Sequence, residues 1–371
     1  MAEPGKLKVL QIVEDLKIGG LERVIQMLAL GLPKERYAVK VWCLTKGGAI
    51  ADELRAAGVD VEILGMGPRC SASFLLKLRK KIRDSRVDIL HAHGYTASTI
   101  GRTAGFMGGV PVMIAHVHSA YRSYTTKQLL IEKALSLVTD KIICCSNAVA
   151  DFVTGREKIS SGKVAVVYNG VADMRRQAEA AVTRTGFGLS SQDFVISVTA
   201  SFVYNKGHSY FLEAMREIVK AHPEAKVLLA GDGPLRGELE ESVKKLGIAA
   251  NVIFCGIVRD IGPFLATVDL AVLPSVDREG LSISILEAMS AGRAVIGTEV
   301  GGNSEAVSEG KTGLLVPPRD PDALARAVLS LIGDRGKLER MGRAAREAYQ
   351  EKFTQSGMIA GVAKIYEELR R

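Results

Sequence analysis

Short apolar runs alternate along the chain with stretches that have helical periodicity. The runs are rich in Val and Ile and mostly lack polar alternation, which is typical of strands buried on both faces of a parallel sheet. In the first half they lie at residues 8–13, 38–44, 59–65, 87–93, 110–116, 141–146 and 164–168. Amphipathic helices are predicted between them at residues 22–30, 73–83 and 127–138.

The same pattern starts again in the second half. A second set of strands is predicted at residues 194–200, 226–232, 251–256, 269–275, 293–298 and 312–317. Residues 171–190 between the two sets are polar and weakly patterned, so we place a domain boundary there. Residues 321–371 are helical throughout, with breaks near Gly333 and Phe353–Thr354. Alternating strands and helices predict two parallel sheets with right-handed crossovers, which bind ligands beyond the carboxyl ends of their strands.

Composition and cysteine usage narrow the class of protein. Of 371 residues, 47% are hydrophobic and 24% are charged, the balance of a globular protein. No apolar stretch is long enough to span a bilayer, and the start of the chain lacks the pattern of a secretory signal. Four of the five cysteines lie in apolar strand-like runs, Cys70 being the exception. We therefore expect reduced thiols in a cytoplasmic protein, and neither a disulfide framework nor a metal site.

The positive charge is concentrated in the first half. Residues 1–170 contain 24 Lys and Arg against 15 Asp and Glu, whereas residues 171–371 contain 25 against 26. A basic, amphipathic helix is predicted at residues 74–83, where apolar residues alternate with Lys and Arg. Such a helix suits docking on an anionic membrane, and it equally suits a helix packed on the core with a solvated basic side. The loop at residues 119–127 is a candidate lid or acceptor loop, or an ordinary surface loop.

The segment from Pro274 to Met289 has the richest candidate chemistry. A buried strand ends at Pro274, a glycine-containing loop follows, and Ser282 is placed to cap a short helix that Gly292 ends. Amides in such a loop and first helical turn suit an anionic or polyhydroxyl ligand. Glu279 and Glu287 flank the helix start, and the apolar neighbours of Glu287 indicate that it has a specific partner. The alternative is a pair of solvated carboxylates.

Several further motifs occur in a fixed order. They are IGGLERV at 18–24, HAHG at 91–94, IAHVH at 114–118, VVYNGV at 166–171, KGH at 206–208, AGDGPLRGELE at 230–240, VIFCGIV at 252–258, TEVGGNSEAV at 298–307 and TGLLVPPRD at 312–320. With the Glu-x7-Glu segment, this order resembles the retaining glycosyltransferases of family 4. The resemblance implies the GT-B fold, an α/β architecture of two doubly wound Rossmann-like domains facing a central cleft. It implies an acceptor-binding domain of residues 1–170 plus 356–371 and a nucleotide-sugar-binding domain of residues 171–355.

The resemblance also implies roles for individual residues. The implied catalytic residues are His116 beside the anomeric carbon, Glu279 on the donor sugar and Lys206 on the diphosphate. The implied donor-binding residues are Gly19, Gly20, Ile257, Val258, Gly280, Leu281, Ser282 and Glu287, with Glu287 on the ribose and Ile257–Val258 on the base. Considered alone, Lys206 could be a solvated surface residue and His116 a satisfied core residue. His91 and His93 are interpreted as structural or acceptor-side residues.

Two positions depart from the family pattern. The family has an Arg shortly before the Lys, and residues 200–205 contain none, so Arg23 or Arg122 would have to supply that charge. Ser282 replaces a Pro that is common in the family after Glu-Gly-Leu. These departures affect the expected choice of donor and the expected turnover rate more than the expected fold.

The implied reaction is metal-independent sugar transfer with retention, without a cofactor. Its co-substrate is a nucleotide-diphosphate sugar, and its acceptor is a sugar or a lipid-linked molecule of the cell envelope. No Asp-x-Asp motif lies at a strand end, which agrees with metal independence. Three alternatives stay open: a nucleotide-sugar 2-epimerase on a GT-B scaffold, a catalytically weak binding homologue, and a nucleic-acid-binding module. The last has only the basic first half in its favour, so we expect no nucleic-acid partner.

Overall fold

The structure is a computed structural model that describes residues 5–120, 124–177 and 184–370. The chain divides into two compact units. The first domain comprises Met1–Asn169 and Gln355–Arg371, and the second comprises Gly170–Thr354. Each has a parallel sheet covered by helices, which confirms the predicted fold class of two Rossmann-like domains.

The first domain contains a seven-stranded parallel sheet. Its strands are β1 (Leu7–Val13), β2 (Tyr37–Cys43), β3 (Asp60–Ile63), β4 (Ile89–His93), β5 (Val112–Val117), β6 (Lys141–Cys144) and β7 (Val164–Val166). Its helices are α1 (Gly20–Gly31), α2 (Ala49–Ala56), α3 (Ala72–Ser85), α4 (Tyr95–Gly108), α5 (Thr126–Ser136) and α6 (Asn147–Gly155). The strand order β3-β2-β1-β4-β5-β6-β7 reverses direction between β1 and β4. A ligand of this sheet is therefore expected beyond the carboxyl ends of those two strands.

Both faces of this sheet are buried, which explains why its strands lack alternation. Leu10, Ile12 and Leu90 lie on one face in a cluster with residues of α3 and α4. Val13 and Val41 lie on the other face in a cluster with residues of α1 and α2. Because successive strand residues point to opposite faces, this arrangement also determines where polar strand residues go.

The second domain contains a six-stranded parallel sheet in the order β10-β9-β8-β11-β12-β13. Its strands are β8 (Phe194–Thr199), β9 (Ala225–Ala230), β10 (Val252–Gly256), β11 (Leu270–Leu273), β12 (Ala294–Thr298) and β13 (Gly313–Val316). Its helices are α7 (Met174–Gln177), α8 (His208–Ala221), α9 (Arg236–Leu246), α10 (Ile261–Ala266), α11 (Ile283–Ser290), α12 (Asn303–Ala306), α13 (Pro321–Ile332) and α14 (Arg335–Lys352). Helix α15 (Gln355–Glu368) returns to the first domain. The reversal point of this second sheet lies between β8 and β11.

The predicted strands and helices are confirmed to within a few residues at each end. The breaks near Gly333 and Phe353–Thr354 separate α13, α14 and α15 as expected. The cysteines are free thiols, and Cys70 is the exposed one. Within the described ranges, no helix combines the length and the apolar character needed to cross a bilayer.

Candidate functional site

Two sequence-predicted residues meet at the reversal point of the second sheet. Lys206 follows β8 and Glu279 follows β11, and Lys206 Nζ lies 2.5 Å from Glu279 Oε1. The same carboxylate oxygen accepts a hydrogen bond of 2.6 Å from the Ser275 hydroxyl. Glu279 is 5% exposed. A carboxylate so enclosed, with a cation beside it, is a specific polar centre and differs from the solvated pair that the sequence left open.

The loop that carries Lys206 lies directly against the end of β11. Val276 N–H donates to Asn205 O at 2.9 Å. Gly207 has φ +69°, and a Cβ at this position would lie 1.9 Å from Pro274 O. Only glycine allows both this backbone conformation and this approach. The Lys-Gly sequence thus brings the Lys206 ammonium group to the Glu279 carboxylate.

Helix α11 begins where the segment 274–289 predicts. Ser282 is its N-cap residue, yet its hydroxyl makes no capping hydrogen bond and lies 3.0 Å from Ser284 Oγ. The predicted N-cap position is therefore right, although the Ser282 side chain does not make the capping hydrogen bond. Gly280, Leu281 and Ser282 are all buried. The loop is supported from behind, since Gly302 N–H donates to Gly280 O at 2.7 Å.

Glu287 lies in the middle of α11 and is 7% exposed. Its neighbours Leu286 and Ala288 are fully buried. The structure thus confirms that Glu287 is not a helix-surface residue in water. The amides of the first turn of α11 lack helical acceptors and direct a positive dipole end toward this loop. Two carboxylates and a helix N-terminus together suit a ligand with hydroxyls and an anionic group.

Ile257 and Val258 follow β10 on the outer side of the second sheet. Gly256 has φ +65°, and its carbonyl accepts from Gly231 N–H at 2.8 Å. Ile257 is 53% exposed, unusual for a large apolar residue. The turn therefore presents backbone and an apolar side chain outward, as a planar base would require.

The first domain has a cavity of about 270 Å³ at its own reversal point. Its lining comes from the carboxyl ends of β1 and β4 and from the starts of α1 and α4: Val13, Glu14, Asp15, Leu21, Glu22, His93, Gly94, Tyr95 and Thr96. Three carboxylates and two hydroxyls line it, so it suits a ligand rich in hydroxyl groups. It is poorly suited to a phosphate in the same position.

Glu22 changes the interpretation of the Gly19–Gly20 turn. Helix α1 begins at Gly20, so its amides point toward the turn as predicted. However, a Cβ on Gly19 would lie 2.2 Å from Glu22 Oε2, which shows how closely this carboxylate approaches the turn. Burial, and then the charge of Asp15, raises the pKa of Glu22 to about 7. A diphosphate at this turn would have to displace the Glu22 side chain or meet it in the protonated form.

His116 is part of a cluster of four buried histidines. His91 and His93 lie on β4, His116 and His118 lie on β5 or directly after it, and His93 pairs with His116 in register. Ring centroids are 4.1 Å apart for His116 and His118, and 4.2 Å for His91 and His93. His116 is thus not a lone core histidine.

The four imidazoles are neutral. Burial lowers the pKa of His91 and of His118 to about 3. Burial and the neighbouring rings place the pKa of His93 and of His116 well below the ordinary value. His116 can therefore donate or accept a hydrogen bond near a sugar, but it cannot stabilise a leaving group as a cation.

Among the described residues, no Arg pairs with Lys206 or Glu279 in place of the Arg expected before Lys206. Arg23 lies in α1 of the first domain. Arg122 and the centre of the loop at 119–127 lie outside the described residues. Glu22 and His118 were not predicted as site residues. Glu22 lies in the motif at 18–24, and His118 lies in the motif at 114–118.

Helix α3 has an apolar side and a basic side as predicted. Leu78 and Ile82 are buried, whereas Leu76 is 54% exposed. Lys81 pairs with Glu62 at 2.8 Å and lies over the Trp42 ring. Lys77 and Lys80 are exposed.

Helix α4 adds to this surface. Its residues Phe106 and Met107 are 60% and 38% exposed. Arg79 of α3 donates to Met107 O at 3.0 Å, so the end of α4 adjoins α3. Exposed apolar and basic side chains therefore lie together on one face of the first domain.

Each domain matches a family model. Residues 18–175 match the model described as Glycosyltransferase Family 4, and residues 193–334 match the model described as Glycosyl transferases group 1. The chain is 26% identical over 347 residues to the Escherichia coli UDP-Gal:alpha-D-GlcNAc-diphosphoundecaprenol alpha-1,3-galactosyltransferase, with 89% of each chain covered. It is 32% identical over 185 residues to the Bacillus anthracis N-acetyl-alpha-D-glucosaminyl L-malate synthase, covering 50% of this chain and 48% of that one.

Among solved structures, the fold is similar to that of Anabaena Alr3699/HepE in complex with UDP-glucose. The TM-score is 0.87 at 21% sequence identity, and the match covers 98% of this chain and 100% of that chain. At this identity the likeness concerns the fold.

Proposed function

We propose that this GT-B glycosyltransferase of the family 4 type transfers a sugar, with retention, from a nucleotide-diphosphate sugar to a hydroxyl of a lipid-linked or polysaccharide acceptor of the cell envelope. The observation that carries the proposal is the Lys206–Glu279 pair at the reversal point of the second sheet. Ligands of doubly wound sheets bind there. The pair combines the two groups that a sugar diphosphate needs, a cation and a hydroxyl acceptor.

The donor is assigned to the second domain. Lys206 neutralises charge on the diphosphate, and Glu279, held by Ser275, accepts hydrogen bonds from the sugar. Glu287 accepts from the ribose hydroxyls, and the amides of Gly280, Leu281 and Ser282 bind sugar and phosphate oxygens. The backbone of Ile257–Val258 binds the base.

For Gly19 and Gly20 of the first domain we propose a phosphate-binding role, as the family resemblance implies. Because Glu22 shares this turn, a phosphate binds there best when the Glu22 carboxyl group is protonated. This requirement makes donor use sensitive to pH around the pKa of Glu22.

The proposed reaction proceeds on the face of the sugar that carries the diphosphate. The bond between the anomeric carbon and the diphosphate oxygen breaks, and a bond from the acceptor oxygen to the same face of that carbon forms. The acceptor proton passes to an oxygen of the departing diphosphate. Lys206 stabilises the charge that develops on the leaving group, and neutral His116 orients the sugar by a hydrogen bond. No step requires a metal ion or a further cofactor.

The acceptor is assigned to the carboxylate-lined cavity of the first domain. Carboxylates and the Tyr95 and Thr96 side chains suit the hydroxyls of a sugar ring. The Escherichia coli relative is named for a sugar linked through diphosphate to undecaprenol. A sugar of this kind would place its ring in the cavity and its lipid diphosphate outside it. The exposed surface formed by α3 and the end of α4 would then dock on the anionic membrane that holds the lipid.

Turnover of nucleotide sugars with and without acceptors tests the proposal. We expect UDP release that depends on a lipid-linked or oligosaccharide acceptor, and a product whose anomeric proton has the donor's configuration by NMR. An inverted product would refute retention. Conversion of the donor to its 2-epimer without acceptor would instead identify an epimerase, and donor binding without any product would identify a binding homologue.

A further inference from the structure

In the four-histidine cluster, most of the ring nitrogens lack a hydrogen-bond partner among the described residues. Because Leu90 and Ala92 point to the α3 and α4 side of the sheet, His91 and His93 point to the opposite side. Gln11 pairs with His91 in register and shares that side. Gln11, His91, His93 and His116 are each at most 1% exposed, and His118 is 8% exposed.

Among the described residues, two hydrogen bonds engage these rings. His91 Nδ1 lies 2.6 Å from the Tyr366 hydroxyl, and His93 Nδ1 lies 3.0 Å from His118 Nε2. The remaining ring nitrogens have no hydrogen-bond partner within the described part of the protein: His91 Nε2, His93 Nε2, His116 Nδ1, His116 Nε2 and His118 Nδ1. The Gln11 amide atoms also have none. A buried polar group without a partner destabilises a fold, so a concentration of such groups indicates a ligand.

We propose that His91, His93 and His116 form a binding site for a divalent transition-metal ion, with Zn²⁺ as the best fit. One nitrogen atom of each ring can be chosen so that all three lie within 4.8 Å of one another. Zn²⁺ bonds to imidazole at about 2.0–2.1 Å, which needs nitrogens roughly 3.4 Å apart in a tetrahedral site. An ion bound here would therefore draw the more distant of these nitrogens closer together.

The choice of metal follows from the ligands. Three imidazoles suit Zn²⁺, Cu²⁺ or Ni²⁺, whereas Mg²⁺ and Ca²⁺ prefer oxygen ligands. The fourth position of a tetrahedral site stays open to water or to the Gln11 side chain.

The two existing hydrogen bonds have the form expected around a metal. A histidine that binds a metal through one nitrogen is usually held by a hydrogen bond at the other. Tyr366 does this for His91, and His118 does it for His93. Both leave the Nε2 atom of the ring available.

The cavity of the first domain provides an entry route. His93 lines this cavity together with Glu14, Asp15 and Glu22. Carboxylates around an opening raise the local concentration of cations. An ion can therefore pass from solvent through the cavity to His93 and then to the cluster.

Occupancy of this site inhibits transfer, a consequence that rests on the proposed function. Coordination takes a nitrogen of His116, the residue assigned to the donor sugar. We therefore expect transfer to be inhibited by Zn²⁺ and restored by a chelator.

Metal binding by tag-free protein tests the site without reference to activity. We expect one Zn²⁺ per chain by competition with a chromophoric chelator, and a visible band of tetrahedral Co²⁺ when Co²⁺ is used as the probe. The double variant His91→Gln/His93→Gln should bind at least 100-fold more weakly. Tyr366→Phe, which only removes the hydrogen bond to His91, should weaken binding about tenfold. His222→Gln, at an exposed site beside Glu224, is the matched control and should bind as wild type.

Two results would overturn the site. One is the absence of stoichiometric binding by folded wild-type protein, which would mean that water satisfies the cluster. The other is equal affinity in the double variant and the wild type, with Trp42 fluorescence showing that both are folded. If Zn²⁺ binds as expected but transfer is unaffected, the metal site is supported and the role assigned to His116 in transfer is refuted.

Discussion

At the scale of single residues, the second domain holds a charged pair in a largely enclosed position. Glu279 is almost completely buried, and its partner Lys206 has 22% of its side chain exposed. Removing one member of such a pair leaves the other charge poorly solvated. Effects on ligand binding and effects on stability must therefore be measured separately.

Lys206→Ala should lower kcat/KM by about 10²–10³, because a preorganised charge on the leaving group is lost. It should also destabilise the second domain by about 1–3 kcal/mol, since Glu279 stays buried without its cation. Steady-state kinetics and urea unfolding followed by circular dichroism measure the two effects. Lys220→Ala is the control, because Lys220 forms an exposed pair with Glu217. Kinetics close to wild type would show that Lys206 serves the fold alone.

Glu287→Ala should weaken binding of the free nucleotide diphosphate and of the nucleotide sugar alike, by about 10–100-fold. The physical reason is the loss of charge-assisted hydrogen bonds to the ribose hydroxyls, each contributing about 1.5–3 kcal/mol. Isothermal titration with UDP on folded protein checks this. Unchanged affinity would remove Glu287 from the donor site.

Glu22 makes stability depend on pH. Its pKa is raised to about 7 by burial, so between the ordinary value of 4.5 and about 7 the folded state binds more protons than the unfolded state. Stability is therefore lost as the pH rises through that window. Glu22→Gln should remove this loss. At pH 8 its free energy of unfolding, measured with urea, should exceed that of the wild type by roughly 1–3 kcal/mol, and at pH 5 the difference should be smaller.

Fluorescence of Trp42, the chain's single tryptophan, reports on the first domain for this measurement. Glu35→Gln, at an exposed position, is the control. Equal stability differences for Glu22→Gln at both pH values would contradict a raised pKa.

At the scale of elements, α3 shows how one helix divides its side chains between fold and surface. Leu78 and Ile82 hold it on the sheet, and Lys81 is committed to Glu62 and Trp42. Lys77 and Lys80 form no such contacts in the described structure. Both are exposed, and they follow the exposed Leu76 by one and four positions. A membrane test should therefore change Lys77 and Lys80 and leave Lys81 in place.

Lys77→Ser/Lys80→Ser should reduce binding to anionic vesicles by about 30-fold, since each basic residue near such a surface contributes about 1 kcal/mol. Sedimentation with phosphatidylglycerol vesicles at low and high salt measures it. Lys244→Ser/Lys245→Ser in α9 removes the same charge from the second domain and should have little effect. Equal losses in both variants would indicate a general charge effect and no docking surface on α3.

At the scale of the whole molecule, each domain directs its polar groups to the reversal point of its own sheet. In the second domain these groups are Lys206 and Glu279, and in the first they are the carboxylates of the cavity. The chemistry of the two places differs, because the second domain pairs a cation with a carboxylate, whereas three carboxylates and two hydroxyls line the cavity of the first. This difference supports the assignment of the phosphate-bearing donor to the second domain and the hydroxyl-rich acceptor to the first.

A matching nucleotide sugar should raise the Tm of the full chain by about 5–10 °C at a concentration of 100 times Kd. Binding then adds about 2.7 kcal/mol to stability by mass action. A thermal-shift screen across UDP-, GDP- and dTDP-sugars measures it, with Glu287→Ala as the variant that should show a smaller shift at the same ligand concentration. If no nucleotide sugar shifts the Tm of the wild type, the donor assignment fails.

Local pattern was sufficient for the strands of both sheets and for α1, α3, α5, α11 and α13 to α15, whereas the other helices were not predicted. Strand and helix positions follow from residues that are neighbours in sequence, and so does the spacing of Glu279 and Glu287 around α11. Ser282 is the N-cap residue of α11 as predicted, but its hydroxyl lies near Ser284 Oγ and makes no capping hydrogen bond. That choice depends on side-chain geometry rather than on residue type.

The sequence by itself thus determined two parallel α/β domains, their elements and the donor-type segment, because periodicity and turn residues act over short stretches of chain. Tertiary structure decided which groups meet. Lys206 reaches Glu279 across 73 positions because β8 and β11 are neighbours in the sheet. The histidines of β4 and β5 form one cluster because those strands pair in register, and α15 brings Tyr366 to them from 275 positions away. Strand order and register are properties of the folded sheet, and no local pattern encodes them.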